Sequence, residues 1–175
     1  MRTGLSRFTF PKGQGNILLN LGEGLTNETG ATVRIVNETE IEGSKLLGTF
    51  CYNPQAVFPI YFVMKVSKAP KSMGYWKKQR EMKGVEAEWD VYSGKYKLYT
   101  KYNREMSGDD VGVWFTYDTE ENEAIEVKMG VSFVSIENAR LNMNTEQPGF
   151  DFDKVRTTAS NMWNSDLSRV KVEGG

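Results

Sequence analysis

The stretch Ile125-Glu-Val-Lys-Met-Gly-Val-Ser-Phe133 decides the fold of this chain. Ile125, Val127, Met129, Val131 and Phe133 alternate with Glu126, Lys128, Gly130 and Ser132. A period of two is that of a strand burying one face. From Ser135 the period changes, and two helical segments follow, separated by Gln147-Pro148-Gly149. In the second, Asp151 stands at the N-cap position and Asp153 in the first turn, where the helix dipole favours an acid. Phe152, Val155, Ala159, Met162, Trp163, Leu167 and Val170 then mark one broad apolar face. That face is wider than a chain end needs. The chain is therefore expected to self-associate through it or to leave it unusually exposed.

Working outward from this handover, the rest of the chain reads as strand after strand. Leu5–Phe10 is followed by a turn at Pro11 to Gly15, and the mostly apolar Asn16–Leu21 reads as buried on both faces. Thr32–Val36 turns at Asn37-Glu38 into a strand towards Leu47, and Val57–Val66 reads as a central strand. Tyr75-Trp76 open a charged ribbon, Lys77 to Lys83, suited to an exposed edge. Val85, Ala87, Trp89 and Val91 alternate cleanly with Glu86, Glu88, Asp90 and Tyr92. Their acidic side faces lysines of the strand at Tyr96–Tyr102, which suits an antiparallel pair. Val111, Val113, Phe115 and Tyr117 form the next inward set. About nine short strands with regularly spaced turns specify a mainly β fold, an antiparallel β-sandwich with two C-terminal helices. The expected organisation is a sandwich over 1–134 and a helical segment and linker over 135–175.

Composition narrows the chemistry. At 175 residues with net charge −1 and interspersed acids and bases, the chain has no basic field for nucleic acid. Its longest apolar run, Ala56–Val66, is interrupted by Pro59 and Lys65 and is too short to span a bilayer. Histidine is absent, which removes Ser-His and Cys-His nucleophiles and the commonest transition-metal ligand. The single cysteine, Cys51, lacks an activating neighbour in the sequence and reads as a half-buried small side chain.

Carboxylate pairs occur at Glu86/Glu88, Asp109/Asp110, Glu120/Glu121 and Asp151/Asp153. A glycosidase needs two carboxyl groups, roughly 6.5–9.5 Å apart for inversion. Here each pair has a structural reading: outward on a strand, in a turn, or at a helix start. Neither Asp109-Asp110 nor Asp151-Asp153 has the oxygen-ligand spacing of a calcium loop. Asn27 and Asn37 fit the N-glycosylation pattern, a frequent chance match. Tyr52, Tyr75, Trp76, Tyr99 and Trp114 are aromatic groups that stack on sugars if exposed; most read as core. No catalytic residue and no metal ligand emerges from the residues.

Several blocks resemble the N-terminal domain of glycoside hydrolase family 92, the calcium-dependent exo-acting α-mannosidases. They are Val131-Ser-Phe-Val-Ser-Ile-Glu-Asn-Ala-Arg140, Pro148-Gly-Phe-Asp-Phe-Asp-Lys-Val155, and Trp163-Asn with Leu167 to Gly174. Arg7-Phe-Thr-Phe-Pro-Lys12 with Asn16-Ile-Leu-Leu-Asn-Leu-Gly22, and Tyr61-Phe-Val with Lys71-Ser-Met-Gly-Tyr-Trp76, continue the pattern in order. The resemblance implies a sandwich preceding a larger helical barrel, which would be the partner of this domain. It implies inverting hydrolysis of a terminal α-mannose in a mannose-containing glycan, with an acid Glu and a base Asp from the barrel. Calcium would hold the sugar, and the whole enzyme would be bacterial and exported, periplasmic or secreted. The sequence departs from the full pattern at both ends, lacking the opening glycine-rich segment and the barrel. No catalytic or calcium-binding residue carries over onto it, and the chain alone is expected to be inactive, without a cofactor of its own.

Three readings follow: a sandwich domain of an α-mannosidase, a freestanding carbohydrate-binding sandwich, or a structural domain without a ligand. One loop is singled out for substrate, Gly48-Thr49-Phe50-Cys51-Tyr52-Asn53. In the family it resembles, sandwich loops help wall the sugar pocket at the domain interface. Phe50 or Tyr52 would lie against a sugar face, and Thr49 or Asn53 would bond hydroxyls.

Overall fold

The computed structural model describes residues 2–22, 29–48, 57–78, 96–99, 105–171 and 173–174. Within them the strands are β1 (Thr3–Phe10), β2 (Gly13–Asn20), β3 (Thr29–Asn37), β4 (Glu40–Leu47) and β5 (Phe58–Val66). They continue with β6 (Ser72–Lys78), β7 (Tyr96–Tyr99), β8 (Met106–Gly108), β9 (Val111–Thr119) and β10 (Glu123–Ser132). Two helices follow, α1 (Ile136–Glu146) and α2 (Phe152–Leu167).

The strands form a six-stranded sheet, β1-β10-β5-β4-β3-β8, and a four-stranded sheet, β2-β9-β6-β7. Every pairing described is antiparallel. The sheets pack face to face as a β-sandwich. Val33, Ile41, Val111, Val113, Phe115, Tyr117 and Ile125 fill the space between them, with Tyr75. The inward set read at Val111–Tyr117 is thus the spine of the core. Tyr75 also ties the layers by hydrogen bonding, because its hydroxyl on β6 accepts from the Ile35 amide on β3 at 2.7 Å.

Local chemistry explains the tight corners. Asn37 accepts from the Thr39 amide at 2.9 Å, an Asx turn that reverses β3 into β4. Between β9 and β10 the Glu123 amide bonds the Glu120 carbonyl at 3.1 Å, with Asn122 at φ 60°. Asn is the non-glycine residue best suited to that left-handed position. At the start of α1, the Ser135 hydroxyl caps the Asn138 amide at 3.2 Å. Asp151 does the same for Lys154 at 3.1 Å and opens α2, as its position in the sequence predicts.

Three expectations are corrected. Asn16–Leu21 is not buried on both faces: β2 is the edge of the four-stranded sheet, and Leu18 is 62% exposed. Lys77 and Lys78, at the start of the expected edge ribbon, instead end β6, which lies between β9 and β7 with Tyr75 and Trp76 buried in it; the rest of the ribbon, 79–83, lies outside the described residues. β10 does not present its polar residues to water. Glu126, Lys128, Gly130 and Ser132 are buried as well, because the outer face of the six-stranded sheet is covered by α1. The alternation at Val85–Val91 and the pair Glu86/Glu88 lie outside the described residues.

Candidate docking face and substrate loop

α1 lies across the outer face of the six-stranded sheet, with Ile136, Ala139 and Met143 packed on Val63. The fit depends on Gly130, where a Cβ atom would stand 2.4 Å from the Ala139 carbonyl oxygen and 2.6 Å from Met143 Cβ. Around this small apolar seat the sheet presents charge. Glu40 stands opposite Lys65 across β4 and β5, and Glu42 opposite Arg34 across β3 and β4. Lys65 bonds Glu40 at 2.8 Å, and Arg34 bonds Glu42 through Nε at 2.9 Å. Arg140 of α1 then reaches down with one guanidinium nitrogen to Glu40 and the other to Glu42. Both acids are 6% exposed, so these are desolvated ion pairs rather than surface decoration.

The remaining ties follow the same logic. Glu126 on β10 stands opposite Arg7 on β1, and Arg7 bonds both Glu126 and Asp153 of α2 at 2.8 Å. The Arg7 guanidinium also sits 4.8 Å from the Phe152 ring centroid. Glu146, at the end of α1, accepts from the Arg2 amide and Nε, each at 2.7 Å. Buried Lys128 donates to the carbonyls of Gln147 and Pro148, at 3.0 and 2.8 Å. It thereby satisfies acceptors at the C-terminal end of α1, where a cation is favoured. Burial, and then the charge of Lys65 beside it, pulls the Lys128 amine below its ordinary value.

Several of the described carboxylates are thus committed to structure. Hydrogen bonds from Arg7 hold Asp153 below the usual carboxylate range, and the Arg2 amide and side chain do so for Glu146. Asp109 accepts from the Gly30 amide at 3.0 Å, and Glu121 from the Lys12 amide at 3.1 Å. Among the described residues no group of three or more Asp, Glu, Cys or His is placed to hold a metal ion. A groove of about 460 Å³ between the end of α1 and the start of α2 is lined by Glu146, Asp151, Lys154 and Thr158. Its two acids are already engaged, one with Arg2 and one as a helix cap.

The substrate loop named from the sequence, Thr49, Phe50, Tyr52 and Asn53, lies outside the described residues, as does Cys51. Its flanks are described: Leu47 pairs with Phe58, so the segment springs from neighbouring central strands. Phe58 in turn meets Phe133 edge to face. Of the aromatic residues weighed as sugar platforms, Tyr75 and Trp76 are core.

A model of the glycosyl hydrolase family 92 N-terminal domain matches residues 1–132. The chain belongs to glycosyl hydrolase family 92. A model of the family 92 catalytic domain takes over at residues 138–175, the region of α1 and α2. No curated protein sequence matches the chain. Among solved structures, the family GH92 alpha-mannosidase BT3965 from Bacteroides thetaiotaomicron superposes with TM-score 0.77 at 22% identity, over 99% of this chain. The family GH92 glycosyl hydrolase ccman5 gives 0.77 at 21% identity, and the inverting mannosidase BT2199 from Bacteroides thetaiotaomicron VPI-5482 gives 0.75 at 20%. This family 92 chain spans 20–22% of the length of those structures. The likeness establishes that the sandwich and its helices are the fold shared with them.

Sequence reasoning missed the charged seat of α1. A signal was present in Glu40-Ile-Glu42, which places two acids on one side of a strand. Its partner Arg140 is 98 residues from Glu42, and no local period reports it. The exposed face of α2 was legible: none of its residues is buried, and Trp163 is 68% exposed.

Proposed function

We propose that this chain is the N-terminal sandwich and leading helices of an exo-acting α-mannoside hydrolase. The observation that carries the reading is the succession of the two family 92 matches, N-terminal domain then catalytic domain, across one continuous body. α1 and α2 belong to the second match, yet α1 is built into the sandwich through Gly130, Glu40, Glu42 and Arg2. The sandwich thus braces the start of the catalytic domain. Hydrolysis would proceed with inversion, through an acid Glu and a base Asp supplied by the rest of that domain. Calcium belongs to that remainder in this reading, and no step is assigned to it here. The Bacteroides relatives support a bacterial enzyme; action in the periplasm or outside the cell is what the family resemblance implies.

The full-length protein is expected to release mannose from an aryl α-mannoside, with β-mannose appearing first by proton NMR. The purified 175-residue chain is expected to release none. Turnover by that chain, abolished by changing one of its carboxylates, would overturn the assignment of chemistry to the other domain.

The substrate loop has the role of recognition in this reading. Loops on a rigid sandwich are where binding groups concentrate. Singly changing Thr49, Tyr52 or Asn53 to Ala in the full-length enzyme is expected to lower kcat/KM by about 5- to 150-fold, or ~1–3 kcal/mol. Melting temperature should barely move. Unchanged kinetics in all three variants would return the loop to a structural role.

A further inference from the structure

The four-stranded sheet turns its outer face away from α1, which covers the other sheet. On that face Trp114 of β9 stands opposite Leu18 of β2 and Gly74 of β6. Their neighbours Phe115 and Tyr75 fill the core, so strand alternation turns these three outward. The Trp114 indole lies across β6 on Gly74, where a Cβ atom would stand 2.9 Å from Trp114 Cζ2 and 3.1 Å from Cε2. Its Nε1 donates to the Tyr75 carbonyl at 3.3 Å and pins the ring there. Trp76 makes the reverse crossing: its ring lies on Gly112 of β9, and its Nε1 donates to the Leu19 carbonyl at 3.0 Å. Trp76 is buried. Trp114 is half-buried, with one ring face on the glycine and the other outward, beside Leu18 at 62% exposure.

The surroundings of this ring are polar. Asn16 and Ser72 stand on either side of Thr116, two residues along their strands from Leu18 and Gly74, and both are exposed. The Thr116 hydroxyl donates to Asn16 Oδ1 at 2.8 Å, which orients the amide and leaves Nδ2 without a partner among the described residues. Gln14 and Asn20 continue the row of amides along β2. Next along the sheet, Lys71 and Asp118 neutralise one another at 2.8 Å. A pinned indole with one open face, bordered by amides and hydroxyls and by no unpaired charge, has the chemistry of a sugar platform. The C–H face of a pyranose lies on the ring, and its hydroxyls meet the amides. Nucleic acid would need cations here, and an apolar partner would leave the amides unpaired. We propose that the outer face of the four-stranded sheet, centred on Trp114, binds neutral glycan chains. The proposal rests on this face alone and not on the hydrolase reading.

Affinity electrophoresis tests it, with the 175-residue chain and the full-length protein run through gels containing soluble mannan, dextran or laminarin. Polygalacturonate serves as the acidic comparison. Both proteins are expected to be retarded by at least one neutral polymer and by polygalacturonate not at all. Trp114→Ala is expected to weaken retardation at least tenfold. Because that change removes a packed ring, Asn16→Ala and Leu18→Lys, at exposed positions of an edge strand, test the face independently of folding, each with a loss of at least threefold. Trp163→Ala, on the exposed face of α2, is the control for adventitious stacking and should change nothing. No retardation by any neutral polymer would overturn the proposal, as would equal retardation by polygalacturonate. So would retardation unchanged in Asn16→Ala and Leu18→Lys, or lost in Trp163→Ala. Retardation of the 175-residue chain but not of the full-length protein would overturn it too, since the face would then be covered in the whole molecule. Aryl α-mannoside turnover by the full-length protein is read alongside: turnover without retardation removes the platform and leaves the hydrolase. Retardation without turnover does the reverse.

Discussion

Replacing Arg140 by Met is expected to destabilise the 175-residue chain by about 3 kcal/mol, within the range for breaking a buried ion pair. Among the described residues Arg140 alone is bonded to both Glu40 and Glu42, and its loss leaves two acids of 8% side-chain exposure with Lys65 and Arg34 as their described cations. Met keeps most of the stem volume, so the loss reports charge rather than a cavity. Changing Glu40 and Glu42 to Gln in the same variant should recover most of the deficit, because the orphaned charge is then gone. Urea unfolding at pH 7 measures both, and a loss below about 0.5 kcal/mol for Arg140→Met would place this network among weak surface pairs.

The same network sets the acid limb. Burial pushes the Glu40 carboxyl up, but hydrogen bonds from Lys65 and Arg140, with their charges, outweigh it and leave the value below 4.5. A folded value lower than the unfolded one means that this stability is fully present above the ordinary carboxylate range. It is lost as pH falls through the folded value. Glu123, Glu137, Glu146 and Asp153 are lowered as well, so all five contributions fade in the same direction. Unfolding free energy should therefore fall steadily below about pH 4.5. In Arg140→Met the slope should be shallower, since Glu40 keeps its burial and loses one of its two cations. An unchanged slope would mean that Arg140 does not set the Glu40 titration.

Gly130→Ala is expected to be comparably damaging, by about 3 kcal/mol, at the upper end of overpacking costs. The added Cβ meets the Ala139 carbonyl at 2.4 Å and Met143 Cβ at 2.6 Å, atoms of the helix itself rather than the far end of a flexible chain. α1 must lift off β10. That movement would uncover Val63 and draw Arg140 away from Glu40 and Glu42, so the packing loss and the charge loss are coupled. Gly4→Ala on β1 is the control: its Cβ finds nothing within 4 Å, and its effect should stay within about 0.5 kcal/mol. Protease cleavage within residues 136–146 should accelerate in Gly130→Ala alone. Equal stability of the two variants would show that α1 is not seated on this glycine.

By itself the sequence determined the sandwich, the order of its main strands and the handover to two helices. It did so because alternation at Val111–Tyr117, a capping Asp151 and turn residues such as Asn37 act within a few positions of the structure they cause. It also marked the apolar stripe from Phe152 to Val170 as wider than a chain end needs, to be left exposed or used for self-association, and the structure leaves it exposed. What only the tertiary structure decided is the second buried face of the central sheet. In the period of β10, Glu126 and Lys128 look like solvent-facing residues. They are buried because Arg7, α1 and the linker at Gln147-Pro148 close over them. The same holds for Glu40 and Arg140, 100 residues apart, and for the contact that brings Phe58 to Phe133. A strand's own period reports that its two sides differ. It carries no term for what a later helix lays against the polar side, where desolvation turns isolated charges into a network whose members depend on one another.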